Sequence, residues 1–394
     1  MSRTRRAGVD VVGGALVGAL AALAAAGFLR GLELVTSWRG EHARIVWLLP
    51  VAAAVLLTVV ARLGTAAQSG TNLVLWRATD GRGDRVPLRL IPLALLGTWW
   101  THLFGGSAGR EGSAVQMGGA FADVVAAAAG RLFAVDDEDR RRLLLAGIAG
   151  GFGGVFGTPV AACLFALEVV VAGHLDVRRL VPALSAALAG DVVGSAALHA
   201  LGGGHGLYPE VASFPLDGRF IVVGVAVGLA ARAFGAAVTF VKHRTLSWAP
   251  HWRGIAGGLA VVVVWQLAGA SVLGLSLPTL MTAVNGHDVD AAFFAWKLLA
   301  TALTVGVGLI GGEVTPLFAI GAALGSTIAG PLGLPASLTA VCAMAALFGV
   351  SARAPIALCV MAVELCGAAV LPHVVVVVAV AALILGDRSI YTRR

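Results

Sequence analysis

Long runs of apolar residues recur along the chain and limit what it can fold into. A helix crosses a bilayer with about 20 residues, and four apolar runs have that length or nearly so: residues 11–29, 45–61, 220–236 and 371–385. Others are interrupted by glycine and proline: residues 144–156, 159–171, 314–328 and 355–366. These suit tilted, broken or re-entrant helices, which persist at membrane depth only inside protein or beside an aqueous cavity. The sequence therefore predicts an all-α polytopic membrane protein.

Composition and charge agree with this prediction and constrain the partners. Apolar residues make up 58% of the 394 residues and charged residues only 12%, so the expected solvent is the lipid bilayer. The net charge of +7 comes from scattered arginines and forms no basic stripe, so we expect no nucleic acid partner. The positive-inside rule places both termini in the cytoplasm and predicts an even number of crossings, because arginines flank the first and last runs: Arg3, Arg5, Arg6, Arg388, Arg393 and Arg394.

Neither the cysteines nor the histidines indicate a metal or a cofactor. The nine histidines are scattered and form no close pair of ligands. The four cysteines lie inside apolar runs, where a thiol is usually a small core residue: Cys163, Cys342, Cys359 and Cys366. We therefore expect no metal site.

The chain contains an internal repeat at an offset of 196 residues. Seven residues recur in register, as Phe152, Gly153, Pro159, Ala161, Cys163, Ala166 and Glu168 and again as Phe348, Gly349, Pro355, Ala357, Cys359, Ala362 and Glu364. The repeat predicts two related halves, residues 1–201 and 218–394, joined by a polar loop at residues 202–217. Repeated halves with short, interrupted segments in matching places are typical of transporters whose site lies between the halves. The residues alone leave open whether the repeat is inverted or parallel.

The segment Gly109-Arg110-Glu111-Gly112 is the strongest candidate for chemistry. An arginine and a glutamate stand among glycines at the start of an apolar helix, and ionisable residues within a membrane domain mark functional sites by default. Free N–H groups at a helix N-terminus attract anions. A carboxylate there would compete for those donors when ionised and leave when protonated, which would couple anions to protons. The alternative is a structural Arg110–Glu111 ion pair.

The same region matches the G-x-S-x-G pattern of serine hydrolases at residues 105–109. That pattern needs a strand-turn-helix elbow with histidine and acid partners, and the preceding segment is predicted to be membrane helix. We therefore expect a protein that is not an enzyme.

Three further segments are candidates. Glu313-Val314-Thr315-Pro316 also opens an apolar helix after glycines, and proline suits a first helical turn. Thr315 adds a hydroxyl donor, and Glu313 is either an auxiliary carboxylate or a helix-start residue favoured by the dipole. Thr71 follows a polar break that is either part of an inner anion site or a cytoplasmic turn. Tyr391, near the chain end, would on its own be an interfacial anchor.

Together these motifs resemble the CLC family of chloride channels and proton-coupled antiporters over most of the chain. The resemblance implies two inverted halves per subunit in a homodimer, with one pathway in each subunit. It implies that Glu111 is the gating carboxylate that carries the proton. It further implies that Gly109, Arg110, Gly112, Thr71, Val314, Thr315 and Tyr391 surround the anion path.

Four departures from the chloride members indicate a branch of that family. Ser113 stands in place of the usual proline, Val314 and Thr315 replace the common aromatic and small residues, and Val169 replaces an internal glutamate. These three resemble the fluoride/proton antiporters. The fourth is Gly70-Thr71-Asn72 in place of a G-S-G-I-P start, and fluoride carriers more often have Met or Asn where Thr71 stands.

The resemblance predicts export of fluoride in exchange for protons across a bacterial inner membrane. A CLC-type transporter or channel for chloride or another anion is the alternative. Without an acidic residue at Val169, we expect protonated Glu111 itself to carry the proton inward.

Overall fold

Helices make up almost all of the structure, a computed structural model that describes residues 8–63, 70–80, 85–132, 135–170, 177–206 and 208–391. Sixteen α-helices lie in these ranges. The first eight are α1 Gly14–Glu41, α2 Leu49–Arg62, α3 Thr71–Asp80, α4 Leu90–Leu103, α5 Glu111–Leu132, α6 Asp137–Phe156, α7 Pro159–Val170 and α8 Leu180–Ala200. The other eight are α9 Phe220–Thr245, α10 Pro250–Ala268, α11 Leu277–Val284, α12 Phe293–Gly306, α13 Val314–Leu332, α14 Ala336–Ala352, α15 Pro355–Cys366 and α16 Leu371–Leu385.

Capping residues, a glycine and two prolines explain where several helices begin and end. Asp136 accepts a hydrogen bond from the backbone of Asp139, and the two residues form a capping box that starts α6. α6 ends at Gly157, whose φ of 67° is left-handed and suits glycine. Pro159 and Pro355 occupy the first positions of α7 and α15, where the missing N–H has no helical partner to lose.

The repeated segments form two antiparallel helices that lie side by side. The carboxylate of Glu168, near the end of α7, accepts the backbone N–H groups of Ile356 and Ala357 at the start of α15, at 3.1 and 2.9 Å. The carboxylate of Glu364, near the end of α15, accepts the N–H groups that start α7. Corresponding helices therefore run in opposite directions, and the repeat is inverted.

Many of the helices are long and apolar enough to cross a membrane. Among the described residues six segments meet this description: Val9–Glu41, Ala43–Arg62, Leu180–Ala200, Phe220–Thr245, Val314–Leu332 and Ala368–Leu385. Five apolar helices are shorter, α7 and α15 among them, as their interrupted sequences predicted. The expectation for residues 314–328 was wrong, because the helix continues through Gly330 and Pro331 to Leu332 and reaches 19 residues.

The large buried core lies where the two halves meet. α14 is buried almost from end to end, and α6 is buried over its second half. The rings of Phe152 and Phe165 stack at 4.4 Å, and Phe318 and Phe348 from the second half continue the cluster. The cysteines in the repeat are free and buried, as expected from their apolar surroundings. The inter-half loop leads from α8 to α9, and its exact boundaries stay a prediction.

Candidate anion site

The N-termini of α5 and α13, one from each half, meet at a short backbone pairing. Gly109 donates its N–H to the carbonyl of Gly312 at 2.5 Å, and Gly312 donates its N–H to the carbonyl of Gly109 at 2.8 Å. This antiparallel bridge holds the residues before the two helices together. Two helix N-termini, both with partial positive charge and free N–H groups, therefore face one small region.

The carboxylate of Glu111 occupies that region. Glu111 is fully buried, and its Oε2 accepts the backbone N–H of Thr315 at 3.2 Å. The hydroxyl of Thr315 donates to Oε1 of the same carboxylate. Glu111 is the first residue of α5, but its negative charge is bound at the start of α13. The carboxylate thus holds donors that would also suit a small anion.

Arg110 contacts the same carboxylate. Its backbone N–H donates to Oε2 at 3.1 Å, and its Nε lies 3.3 Å from Oε1. The structural ion pair considered from the sequence is therefore present. It does not account for the site alone, because Thr315 in the other half supplies a backbone and a hydroxyl donor to Glu111.

Gly109 and Gly112 lie where no larger residue fits. A Cβ on Gly109 would lie 2.9 Å from the carbonyl oxygen of Gly312 and 3.0 Å from Oε2 of Glu111. A Cβ on Gly112 would lie 2.9 Å from the hydroxyl of Thr71. Real Cβ contacts are not this short, so the glycines are required for the close approach of the backbones.

Thr71 begins α3 and packs against the start of α5. Its hydroxyl donates to the carbonyl of Gly112 at 3.1 Å and accepts from the side-chain amide of Gln116 at 3.2 Å. At the next residue of α5, the hydroxyl of Ser113 lies 2.6 Å from that of Thr98, and both residues are fully buried. The residue that replaces the usual proline therefore contributes a hydroxyl that a proline would lack.

Tyr391, the last residue that the structure describes, lies beside a small cavity. The cavity has a volume of about 30 Å³, enough for about one water molecule. Val169, Thr79 and Arg353 also line it. Among the described residues, no hydrogen bond joins the phenol to Glu111 or Glu313. The valine that replaces an internal glutamate thus lies at the same cavity as Tyr391.

Glu313 and Val314 take positions at the start of α13. Glu313 is the N-cap residue, is half-buried, and makes no side-chain capping hydrogen bond. Its carbonyl accepts the N–H of Leu317 at 3.0 Å. Val314 is buried, with 2% of its surface exposed. Among the described residues the Glu313 carboxylate thus caps no later N–H group of α13, and Val314 contributes an apolar wall.

Ser107, the serine of the hydrolase-like pattern, has partners that do not resemble a catalytic triad. Its hydroxyl lies 2.9 Å from the hydroxyl of Thr301 and accepts a hydrogen bond from the ammonium of Lys297. The nearby His102 faces the carbonyls of Thr98 and Ala108 instead of Ser107. Sequence reasoning missed Lys297 as a candidate, because a single lysine at residue 297, in the apolar α12, carries no motif.

The architecture defines a membrane protein built from two inverted halves that meet at an anion-binding geometry. The chain belongs to the CLC family: the model of the family described as "Voltage gated chloride channel" matches residues 54–386.

Similar proteins agree with this assignment. A chloride/fluoride channel protein of Pseudomonas syringae pv. tomato is 38% identical over 393 residues, covering 95% of this chain and 84% of that protein. An H(+)/Cl(-) exchange transporter ClcA of Vibrio campbellii is 26% identical, covering 89% of this chain and 80% of that protein.

Solved structures have the same fold. The crystal structure of a CLC-type fluoride/proton antiporter superposes with a TM-score of 0.90 at 32% identity, covering 97% of this chain and 96% of that one. The structure of a slow cyanobacterial Cl-/H+ antiporter gives a TM-score of 0.81 at 20% identity with the same coverage, a likeness of fold alone. The prediction of a CLC-like fold with two inverted halves is confirmed.

Proposed function

We propose that this protein exports fluoride in exchange for protons, with Glu111 as the group that couples the two fluxes. The observation that carries the proposal is the binding of the Glu111 carboxylate by both the N–H and the hydroxyl of Thr315. The carboxylate occupies a position whose donors come from the other half of the molecule. It therefore acts as a tethered competitor of the transported anion.

Protonation would reverse this competition. A neutral carboxyl group loses its attraction to the two positive helix ends and to Arg110. The side chain can then leave the donors of Thr315, and a fluoride ion can take them. In each exchange cycle, the Glu111 side chain carries a proton while the anion occupies the position that the carboxylate has left.

The inward path of the proton also has support in the geometry. Val169 cannot accept a proton, and it lies at the small cavity lined by Tyr391. We propose that protonated Glu111 swings across the site and releases its proton toward this cavity. Glu313, whose side chain makes no cap, stabilises the intermediate position.

Fluoride is preferred to chloride in this proposal because the donors are numerous and close together. A small, strongly hydrated anion sheds water only when several short hydrogen bonds replace it. The N–H and hydroxyl of Thr315 and the N–H of Arg110 already converge on one carboxylate. The similar fluoride/proton antiporter and the chloride/fluoride channel protein support this choice.

We propose a bacterial inner-membrane protein with both termini in the cytoplasm, working as a homodimer with one pathway in each subunit. The apolar helices and the arginines near the chain ends support the orientation. Arg3, Arg5, Arg6, Arg393 and Arg394 lie outside the described residues. Arg388, which follows α16, is exposed.

The test is ion efflux from proteoliposomes that contain the purified protein. Fluoride and chloride electrodes record the two anions while external pH is followed. We expect fluoride release that drives proton uptake, with little release of chloride. Chloride release at a comparable rate would assign the protein to the chloride transporters instead.

The variant Glu111→Gln separates coupling from transport. Glutamine has nearly the same shape but cannot carry the proton, so fluoride should move without proton uptake. Unchanged proton flux in this variant would refute the assignment of Glu111 as the coupling group.

A further inference from the structure

Lys297 is a lysine buried inside the membrane domain, and the exchange mechanism above does not use it. It lies in α12 with none of its surface exposed. Its Nζ donates to the hydroxyl of Ser107 at 2.9 Å, to the carbonyl of Val272 at 3.1 Å and to the carbonyl of Gly274 at 2.6 Å. Three oxygen atoms thus surround Nζ, and each can accept one of the three hydrogens of an ammonium group.

This buried charge has no carboxylate beside it. Among the described residues, no Asp or Glu forms a salt bridge or a hydrogen bond with Lys297. An unpaired charge in a membrane interior is costly, and such charges are normally paired. The anion site at Glu111 lies at the end of the loop that contains Ser107, and it offers a counter-charge for the ammonium form.

Arg39 adds a second positively charged group near Lys297. Arg39, at the end of α1, donates to the carbonyl of His102 at 2.6 Å, and its guanidinium lies close to Gly274. His102, in α4, is fully buried and lies 2.9 Å from the carbonyl of Ala108. Two cationic side chains and an imidazole thus surround the loop of residues 104–108, which leads directly to Gly109 and Glu111.

The loop places Lys297 near the anion. Ser107 precedes Glu111 by four residues, so the Cα atoms of these two residues lie at most about 14 Å apart. If the two charges were separated by about 14 Å in a medium with an effective dielectric constant near 20, Coulomb's law would correspond to roughly a tenfold change in the affinity for a monovalent anion.

We propose that Lys297 is a positioning residue whose ammonium form places a positive charge beside the site and thereby raises its affinity for fluoride. The anion in the site, either fluoride or the Glu111 carboxylate, is the counter-charge that the ammonium lacks. The hydrogen bonds to Ser107, Val272 and Gly274 keep this charge at a constant distance. The inference rests on the proposed function in naming fluoride as the anion.

The experiment measures fluoride binding in a Glu111→Gln background, where the competing carboxylate has lost its charge. Fluoride is titrated calorimetrically into the purified full-length protein carrying Lys297→Arg, Lys297→Gln or Lys297→Met in addition. Arginine keeps the charge, glutamine keeps polar contacts without charge, and methionine removes both. Size-exclusion profiles and melting temperatures identify the variants that fold, and the comparison of arginine with glutamine decides the question if methionine prevents folding.

We expect the dissociation constant for fluoride to rise about tenfold with Lys297→Gln and to stay within about twofold of the parent with Lys297→Arg. Equal constants for the glutamine and parent proteins would overturn the proposal. An equal loss with arginine and glutamine would also overturn it, because a purely structural role depends on shape and not on charge. Failure of the proposed function gives a different result, which is the absence of proton-coupled fluoride flux in the protein with both Glu111 and Lys297 intact.

Discussion

Glu168 and Glu364 each cap the helix that carries the other. Glu168 accepts two backbone N–H groups at the start of α15, and Glu364 accepts those of Val160 and Ala161 at the start of α7, at 3.0 and 2.7 Å. Each carboxylate satisfies N–H groups that have no partner inside the helix, and its charge is favourable at the helix N-terminus. The repeated glutamate is therefore a structural contact between the halves.

Replacing either glutamate should destabilise the protein. We expect Glu364→Ala to lower the free energy of unfolding by about 1–2 kcal/mol, as the loss of a helix cap does, and Glu364→Gln to lower it by less because an acceptor remains. Melting temperatures in detergent measure the effect. Glu33→Ala is the control, since that side chain is 64% exposed and forms a surface pair with Arg30, and surface pairs contribute little. Equal melting temperatures for all three variants would contradict the capping role.

Adding one methyl group at Gly112 should disrupt transport. The new Cβ would lie 2.9 Å from the hydroxyl of Thr71 and 3.2 Å from Cα of Gly312, so the Thr71 side chain must turn away and the backbone pairing with Gly312 must give way slightly. We expect Gly112→Ala to reduce fluoride efflux at least tenfold. Gly130→Ala lies on the same helix with nothing within 4 Å of its Cβ, and it should transport at the normal rate. Normal efflux from Gly112→Ala would show that the close approach is not needed.

Removing the hydroxyl of Thr315 should weaken fluoride binding. Thr315→Val keeps the shape but loses one donor to the anion position, and a hydrogen bond to a charged group contributes about 1.5–3 kcal/mol. In a Glu111→Gln background, where no charged side chain competes for the same donor, the fluoride concentration for half-maximal efflux should therefore rise by roughly tenfold or more. Thr327→Val is the matched control, because its hydroxyl bonds only to the carbonyl of Ala323 in the same helix. An unchanged half-maximal concentration in Thr315→Val would contradict the assignment of this donor.

The hydroxyl pair of Thr98 and Ser113 should behave as a coupled unit. Ser113→Ala leaves the Thr98 hydroxyl bonded only to the carbonyl of Ala94, at 2.7 Å, and should cost about 1 kcal/mol of stability. The double variant with Thr98→Val removes both polar groups and should cost less than the sum of the single changes. Thermal melts of the two single variants and the double variant measure the coupling. Strict additivity would show that the hydroxyls do not interact.

Much of the fold could be predicted from the sequence, because the internal repeat and the glycines that interrupt the apolar runs are visible in it. The match of Phe152 to Phe348 predicted two related halves, and the sequences around Glu111 and Thr315 predicted two helix starts at one site. The direction of the repeat was not accessible from residues alone, since self-similarity does not say which way a helix crosses. The capping of α15 by Glu168 supplies that direction.

Parts of the site could not be predicted from the sequence, because they depend on contacts between residues that are far apart along the chain. A hydrogen bond between Thr315 and Glu111 joins residues about 200 positions apart, and no local pattern marks the partner. Lys297 stands in an ordinary apolar helix, so its three acceptors become visible only when α12 packs on the loop of residues 104–108. The length of α13 was misjudged because Gly330 and Pro331 resemble a helix end, although the helix continues to Leu332.

The pairing of Gly109 with Gly312 has an evolutionary consequence. Its hydrogen bonds use only peptide groups, so changes of side chain at other positions leave its donors and acceptors in place. Selection can alter the residues that surround the pathway while the main-chain frame stays the same. Adaptation to a new anion therefore does not require a new fold, because the side chains at positions such as Thr71, Ser113 and Thr315 can change around the same main-chain frame.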